Sequence, residues 1–301
     1  MKSRLIVALG VVLALLAAGV WLEPTGVVLG WMNGDAFYQN RPTRYWSKAL
    51  ISTDPGTQAQ THSALTEGGR AAVPVLVEVL QKDDNAEARW KAADLLGRLG
   101  TQAREESAAL SALAAALKDA DPHVRAVAAA SLASVGPAGP DAIPALKEML
   151  STPDCLPALR ALALYGPDAA PAREKIIGLL NHKDDSEIRW NAARTLCKMK
   201  AAAKEATPML VTALDDPAPL VREHAAEALG EIGPDAKEVI PALVKALKDP
   251  DARVRRDAVR SLGQMGTAAK YAIESIRPLL EDKDDKVRRA ARTSLKQIDD
   301  R

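Results

Sequence analysis

Two amphipathic patterns alternate along most of this chain. In the stretch 215–247, DDPAPLVREHAAEALGEIGPDAKEVIPALVKAL, apolar residues fall at Val221, Ala225, Ala228, Leu229 and Ile232. That i, i+4, i+7, i+8 spacing predicts one buried helical face. Asp216 is placed to cap the first N–H groups, and Pro217 has its φ preset for the opening turn. Gly233-Pro234 ends the pattern, because glycine accepts a left-handed backbone and proline cannot continue the helix. A second helix follows, with Ile240, Leu243 and Leu247 on one side. Neither helix can bury its apolar face alone, so each hairpin must stack on the next.

Three columns carry this unit along the chain. Arg189, Arg222, Arg255 and Arg288 recur every 33 residues, and the same column holds Arg125, Arg89, Cys155 and Gln58 in the earlier copies. Seven residues on stand Leu65, Leu96, Leu132, Leu162, Leu196, Leu229, Leu262 and Leu295. The stop glycine recurs at Gly69, Gly100, Gly136, Gly166, Gly233 and Gly266, and fails at Lys200 and Asp299. Together the columns predict an all-α, right-handed α-solenoid of about seven helical hairpins plus a terminal half repeat, spanning residues 43–301.

The motifs resemble the HEAT-repeat superfamily, and most closely its short bacterial type named after phycobilisome lyases. The matching residues are the Asp-Pro turns (Asp121-Pro122, Asp216-Pro217, Asp249-Pro250) and the Val-Arg pairs (Val124-Arg125, Val221-Arg222, Val254-Arg255, Val287-Arg288). Ala228–Gly233 and the Ile-Pro-Ala-Leu of Ile143–Leu146 and Ile240–Leu243 match as well. In this resemblance Pro42–Trp46 is a familiar lead-in to the first repeat. The resemblance covers roughly residues 43–298 and implies a fold. It implies little about function, because the superfamily includes scaffolds, adaptors and a few enzymes.

Before the repeats, Lys2 and Arg4 precede Leu5–Leu22, eighteen residues without a charge. A spanning helix needs about 17–25 residues and a signal-peptide core about 7–15, so residues 1–22 form either an uncleaved signal anchor or a cleaved signal peptide. The leading positive charges keep the N-terminus cytoplasmic, so the expectation is a single-pass membrane protein with an extracytoplasmic (periplasmic) body, or a secreted one. Residues 23–42 make a juxtamembrane linker rich in glycine and aromatics, with Trp21 and Trp31 suited to an interfacial aromatic belt. Tyr45–Ile51 is expected to be a helix that covers the exposed end of the stack; its aromatics serve either that cap or a partner.

Irregular units stand out. The first repeat lacks a firm pattern over Thr53–Gln60, and in the fourth Pro157 falls where the first helix should be under way, which predicts a shortened helix. The final unit, 284–298, is a first helix alone, with Lys286, Arg289 and Arg292 on its outer face.

Composition narrows the function classes. Forty basic and 39 acidic residues leave a net charge of +1, so no polyanion-binding bias appears and nucleic acid is not an expected partner. The two cysteines, Cys155 and Cys197, lie in neighbouring repeats, either bridged or as two separate thiols. The four histidines, His62, His123, His182 and His224, fall in unrelated columns without a His-x-x-x-His or His-Glu pair. A di-iron hydroxylase built on related repeats relies on His-Glu pairs, and bilin-lyase relatives attach or detach a chromophore. Neither chemistry finds its residues here, and no cofactor, metal or catalytic residue is assigned.

What remains are candidate contact residues. Asp121 with Arg125, Asp185 with Arg189 and Asp251 with Arg255 are each a helical turn apart. The arginine column (Arg89, Arg125, Arg189, Arg222, Arg255, Arg288) reads as a structural ladder fixing the angle between repeats. Trp90 and Trp190 follow the column arginine and are either exposed anchors for a partner or cover the neighbouring first helix. Second helices should line the binding face. Their column two residues before the last leucine reads Glu78, Ala115, Glu148, Gly178, Thr212, Lys245 and Pro278. Glu78, Glu148 and Lys245 of this column, with Arg277 beside it, are candidate partner contacts. With no repeated reader residue and no basic stripe, the face fits a protein or peptide rather than a nucleic acid. The expected function is a non-catalytic interaction scaffold outside the cytoplasmic membrane, touching the membrane through its N-terminal helix only. The alternative is an enzyme or chromophore-handling protein of the lyase or hydroxylase type. Partner identity and oligomeric state are not encoded in these patterns.

Overall fold

A computed structural model describes residues 27–139, 142–233 and 236–299. The expected anchor or signal segment, residues 1–22, lies outside the described residues, as does Pro234 of the Gly-Pro stop. The chain divides into two compact units at Gly139 and Pro140.

The first unit opens with a short helix, α1 (Val27–Asn33), and a two-residue ribbon, β1 (Phe37–Tyr38) paired antiparallel with β2 (Arg41–Pro42). The expectation of a purely helical chain missed this ribbon. It is made by Gln39 and Asn40, whose φ values of 50 and 57 fit the tight turns that right-twisted strands need. Helix α2 (Thr43–Leu50) follows, then α3 (Pro55–Glu67), α4 (Val73–Lys82), α5 (Ala86–Leu99), the single turn α6 (Thr101–Arg104), α7 (Ser107–Ala116) and α8 (Pro122–Val135). Helix α2 starts two residues earlier than expected, packs on α3 and α4, and buries Trp46 as the lid of the stack. Trp46 Nε1 donates to Tyr38 O at 3.1 Å, and the Tyr38 hydroxyl donates to Ala64 O at 3.1 Å, so the ribbon is tied to the first hairpin.

Helix α3 is regular although its sequence pattern is weak. Asp54 accepts from Thr57 N–H at 2.7 Å, Pro55 occupies the first turn, and Leu65 is fully buried. A good cap and one well-buried leucine outweigh a poor apolar stripe.

The second unit contains α9 (Ala142–Met149), α10 (Cys155–Leu162), α11 (Arg173–Leu179), α12 (Ser186–Met199), α13 (Thr207–Ala213), α14 (Pro219–Ile232), α15 (Ala236–Ala246), α16 (Ala252–Gln264), α17 (Ile273–Ile276) and α18 (Asp285–Asp299). First helices α10, α12, α14, α16 and α18 pack each against the next. The second helices are short, because a 3-10 segment precedes several of them: Gly166–Ala172, Lys200–Ala206 and Gly266–Ala272. Helix α10 has eight residues against fourteen for α12 and α14, the shortening that Pro157 predicts.

Another helix start differs from expectation. Helix α14 begins at Pro219 with Ala218 in the capping position, not at Asp216-Pro217. Pro219 suits the first turn equally well, and Asp216 is drawn into the inter-repeat contact described below. In the next repeat Asp251, rather than Asp249, caps α16 by accepting from Arg253 N–H at 2.8 Å.

The leucine column forms the core of each unit: Leu65, Leu96 and Leu132 in the first, Leu162, Leu196, Leu229 and Leu262 in the second, all fully buried. Leu295, on the last described first helix, is half-buried. First helices approach closely through small residues. Ser131 Oγ donates to Ala93 O at 2.8 Å, Thr195 Oγ1 to Leu159 O at 3.1 Å and Ser261 Oγ to Ala226 O at 2.7 Å. A Cβ on Gly97 would lie 2.9 Å from Ser131 Cβ, and one on Gly230 would lie 2.8 Å from Ser261 Cβ. The stop glycines have positive φ, from 52 at Gly69 to 124 at Gly136. Where the column lacks glycine, Lys200 takes the same kind of backbone, φ 51 and ψ −136 beside Gly100 at φ 54 and ψ −117.

Candidate interaction surface

The column arginines reach to the next repeat. Nε and Nη2 of Arg189 donate to the two oxygens of Asp216 at 2.7 and 3.0 Å. Arg222 meets Asp249 at 2.7 and 2.9 Å, Arg255 meets Asp282 at 2.8 and 2.8 Å, and in the first unit Arg89 meets Asp119 at 2.8 and 2.9 Å. Each of these arginines also donates through Nη1 to a backbone carbonyl at the turn before its own helix, as Arg222 does to Asp216 O at 2.8 Å. Arg125 and Arg288 make the same turn contact, to Asp119 O at 2.9 Å and Asp282 O at 2.7 Å. The acid in turn organises the next loop, since Asp249 accepts from Asp251 N–H at 2.8 Å. For Arg189 and Arg255 the partner is therefore the acid ahead in the chain. Asp185 and Asp251, one turn back, accept instead from the backbone N–H groups of Glu187 and Arg253, and Asp251 also from the Arg253 guanidinium.

Trp90 and Trp190 are half-buried, each against the following first helix. Trp90 meets His123 edge-on with ring centres 5.0 Å apart, and Trp190 stacks on His224 at 5.2 Å. Both histidines stand in different columns of the repeat, so spacing alone gave no hint that the fold would bring each onto a tryptophan. His224 Nδ1 lies 3.2 Å from Glu227 Oε2, and this hydrogen bond holds the Glu227 carboxyl below the usual range against the upward pull of burial.

The second-helix candidates separate. Glu78 on α4 faces the N-terminal cap and not open solvent. It accepts from Ala36 N–H at 2.5 Å, Thr43 Oγ1 at 2.5 Å and Lys82 Nζ at 2.8 Å. Burial pulls its carboxyl upward, and these donors outweigh that and keep it below the usual value. Glu148 on α9 is exposed and lies 3.4 Å from Lys175 on α11. Arg277 pairs with Glu274 at 2.9 Å.

Lys245 borders a depression on the second-helix side of the second unit. A groove of about 670 Å³ crosses α13, α15 and α17, floored by Val211, Leu214 and Val244 and rimmed by Asp215, Lys245 and Lys248. Lys245 Nζ bonds Asp215 Oδ1 at 2.6 Å, and both side chains are largely exposed, so the pair costs little to open for a competing carboxylate. The groove arises because the second helices pack more loosely on one another than the first helices do.

Among the described residues, no three His, Cys, Asp or Glu side chains converge as a metal site needs. Both cysteines are free and buried; burial pushes the Cys197 thiol up to about 12 and raises Cys155 as well.

A family profile of HEAT repeats matches residues 73–166, 174–245 and 207–296. The structure is similar to that of an engineered protein, with a TM-score of 0.64 and 27% identity over 85% of this chain and 78% of that one. It is also similar to importin beta, with a TM-score of 0.54 and 14% identity over 85% of this chain and 40% of that one. The chain therefore spans less than half of importin beta, and at that identity the likeness concerns the fold alone. No curated protein matches the sequence.

Proposed function

We propose a function from one premise: the chain belongs to the HEAT-repeat family. It is a scaffold that holds a protein or peptide segment along its second helices, tethered outside the cytoplasmic membrane by Leu5–Leu22. The observation that carries this is the groove over α13, α15 and α17. Its apolar floor offers contact area, and its rim of Lys245, Lys248 and Asp215 can exchange an exposed internal ion pair for one with a partner. HEAT-repeat proteins commonly bind other proteins, which supports the same reading. The Asp-Pro, Val-Arg and Ile-Pro-Ala-Leu residues support a reading of the repeats as the short bacterial type named after phycobilisome lyases. Lys2 and Arg4 ahead of the apolar segment support an extracytoplasmic body.

The test is crosslinking and mass spectrometry of the full chain in its native envelope, compared with Lys245→Glu and Lys248→Glu. A partner crosslinked to residues of the groove and lost in the charge reversals is the expected result. Recovery of the uncrosslinked chain alone, or a partner indifferent to both reversals, overturns the proposal.

A further inference from the structure

Helix α1 contains no charged residue; Val27 and Leu29 are half-buried, and Val28, Trp31 and Met32 are exposed. Trp31 is 78% exposed and Met32 66% exposed. Phe37, opposite Pro42 in the ribbon, is a further exposed apolar side chain of the same N-terminal region. An indole and a thioether left in water forgo roughly 1.5–3 kcal/mol each relative to burial.

The helix is held in this orientation. Gly30, on the other side, is buried against Pro42: a Cβ there would run into Pro42 Cβ and lie 3.0 Å from its Cγ. Asp35 N–H closes the helix end on Gly30 O at 2.9 Å, and the Asp35 carboxylate is clamped by Arg44 Nε at 2.8 Å and Nη2 at 3.2 Å. Rolling α1 to bury Trp31 would break all of these contacts. The outward face is thus built by the body of the protein.

The chain ahead of α1 says what covers it. The uncharged run ends at Leu22, five peptide steps before Val27. Those steps span at most about 18 Å. If Leu5–Leu22 enters a bilayer, α1 starts within about 18 Å of the end of the apolar run, so its exposed face is within reach of the surface, where indole rings with one wet and one dry edge are stabilised.

We propose that the Trp31–Met32 face of α1 docks on the phospholipid surface of the membrane entered by Leu5–Leu22, with both side chains at the boundary between headgroups and acyl chains. This rests on the tether of the proposed function and adds to it. The tether need not be a loose leash, since the body has a built face for the lipid and so presents its repeats in a fixed orientation.

The full chain is reconstituted in phosphatidylcholine vesicles as Met32→Cys carrying an environment-sensitive fluorophore, with Ser111→Cys on the exposed side of α7 as reference. Cys155 and Cys197 are buried and poorly ionised, so labelling goes to the introduced thiol. Met32 contributes nothing to the core, and its replacement leaves folding intact. A quencher placed high on the acyl chain, at the depth of about 5–10 Å that an interfacial apolar face reaches, should reduce emission at position 32 roughly twofold and leave position 111 unchanged. Two results overturn the proposal alone: chain that stays with the vesicles after an alkaline wash yet is unquenched at 32 in a watery environment, or unquenched at 32 in a dry one, the latter meaning that protein covers the face. Chain washed off the vesicles overturns the tether and this proposal together.

Discussion

Arg222 and Asp249 join consecutive repeats through two parallel hydrogen bonds of 2.9 and 2.7 Å, with side chains only 12% and 8% exposed. The same guanidinium holds the carbonyl of Asp216, so one side chain fixes both the turn before its own helix and the loop into the next. Fork geometry explains why arginine and not lysine fills this column: a point charge cannot serve two carboxylate oxygens and a carbonyl at once. Arg222→Ala leaves Asp249 nearly buried without its cation and should cost about 3 kcal/mol. Arg222→Lys should fall between it and the parent. Urea unfolding measures both.

Lys200 supplies a prediction of opposite sign. It occupies a backbone region that suits glycine, at the one internal position where the stop-glycine column fails. Lys200→Gly should stabilise the second unit by about 1 kcal/mol, read as a rise in Tm.

Gly230→Ala should destabilise. The added methyl would press on Ser261, whose hydroxyl is committed to Ala226 O, so the first helices must separate. The cost of overpacking is about 1–3 kcal/mol, and Ser261→Ala in the same background should recover part of it.

Acid should weaken the fold. Hydrogen bonds from Arg253, Arg89 and Arg255 lower the carboxyls of Asp251, Asp119 and Asp282, that of Asp251 to about 2. A carboxyl depressed in the folded chain binds protons less readily there than in the unfolded chain. Its stabilisation is therefore complete above the unfolded value of about 4 and is lost as pH falls toward 2. Unfolding free energy measured at fixed temperature should decline between about pH 5 and 2, and less steeply in Arg89→Ala.

Thiol labelling gives a fifth check. With Cys155 and Cys197 both buried and raised, reaction with a disulfide reagent at neutral pH should be slow in the folded chain and rapid for two thiols in denaturant.

The repeat itself was plain in the residues. Val221, Leu229 and Gly233 announce a helix, its buried side and its end by local rules alone, and the 33-residue return of Arg222 announces stacking. Pro157 foretold the late start of α10 for the same reason: a proline must fall in the first turn, and it is the third residue of that helix. The Ser131, Thr195 and Ser261 contacts were missed although their column is regular. Small polar residues carry no strong periodic signal, and their meaning depends on how closely two axes approach. Glu78 illustrates the opposite failure: its place in the second-helix column suggested a partner contact, and the N-terminal cap claims it.

The sequence by itself determined which segments are helical, where most of them stop, and that they cannot stand singly, because capping, backbone preference and apolar spacing act over a few residues. Tertiary structure decided which acid each arginine takes, which histidine each tryptophan meets, and that Lys245 borders a groove while Glu78 is occupied. Those outcomes depend on distances between chain segments 27 to 35 residues apart, which packing sets and local pattern does not contain.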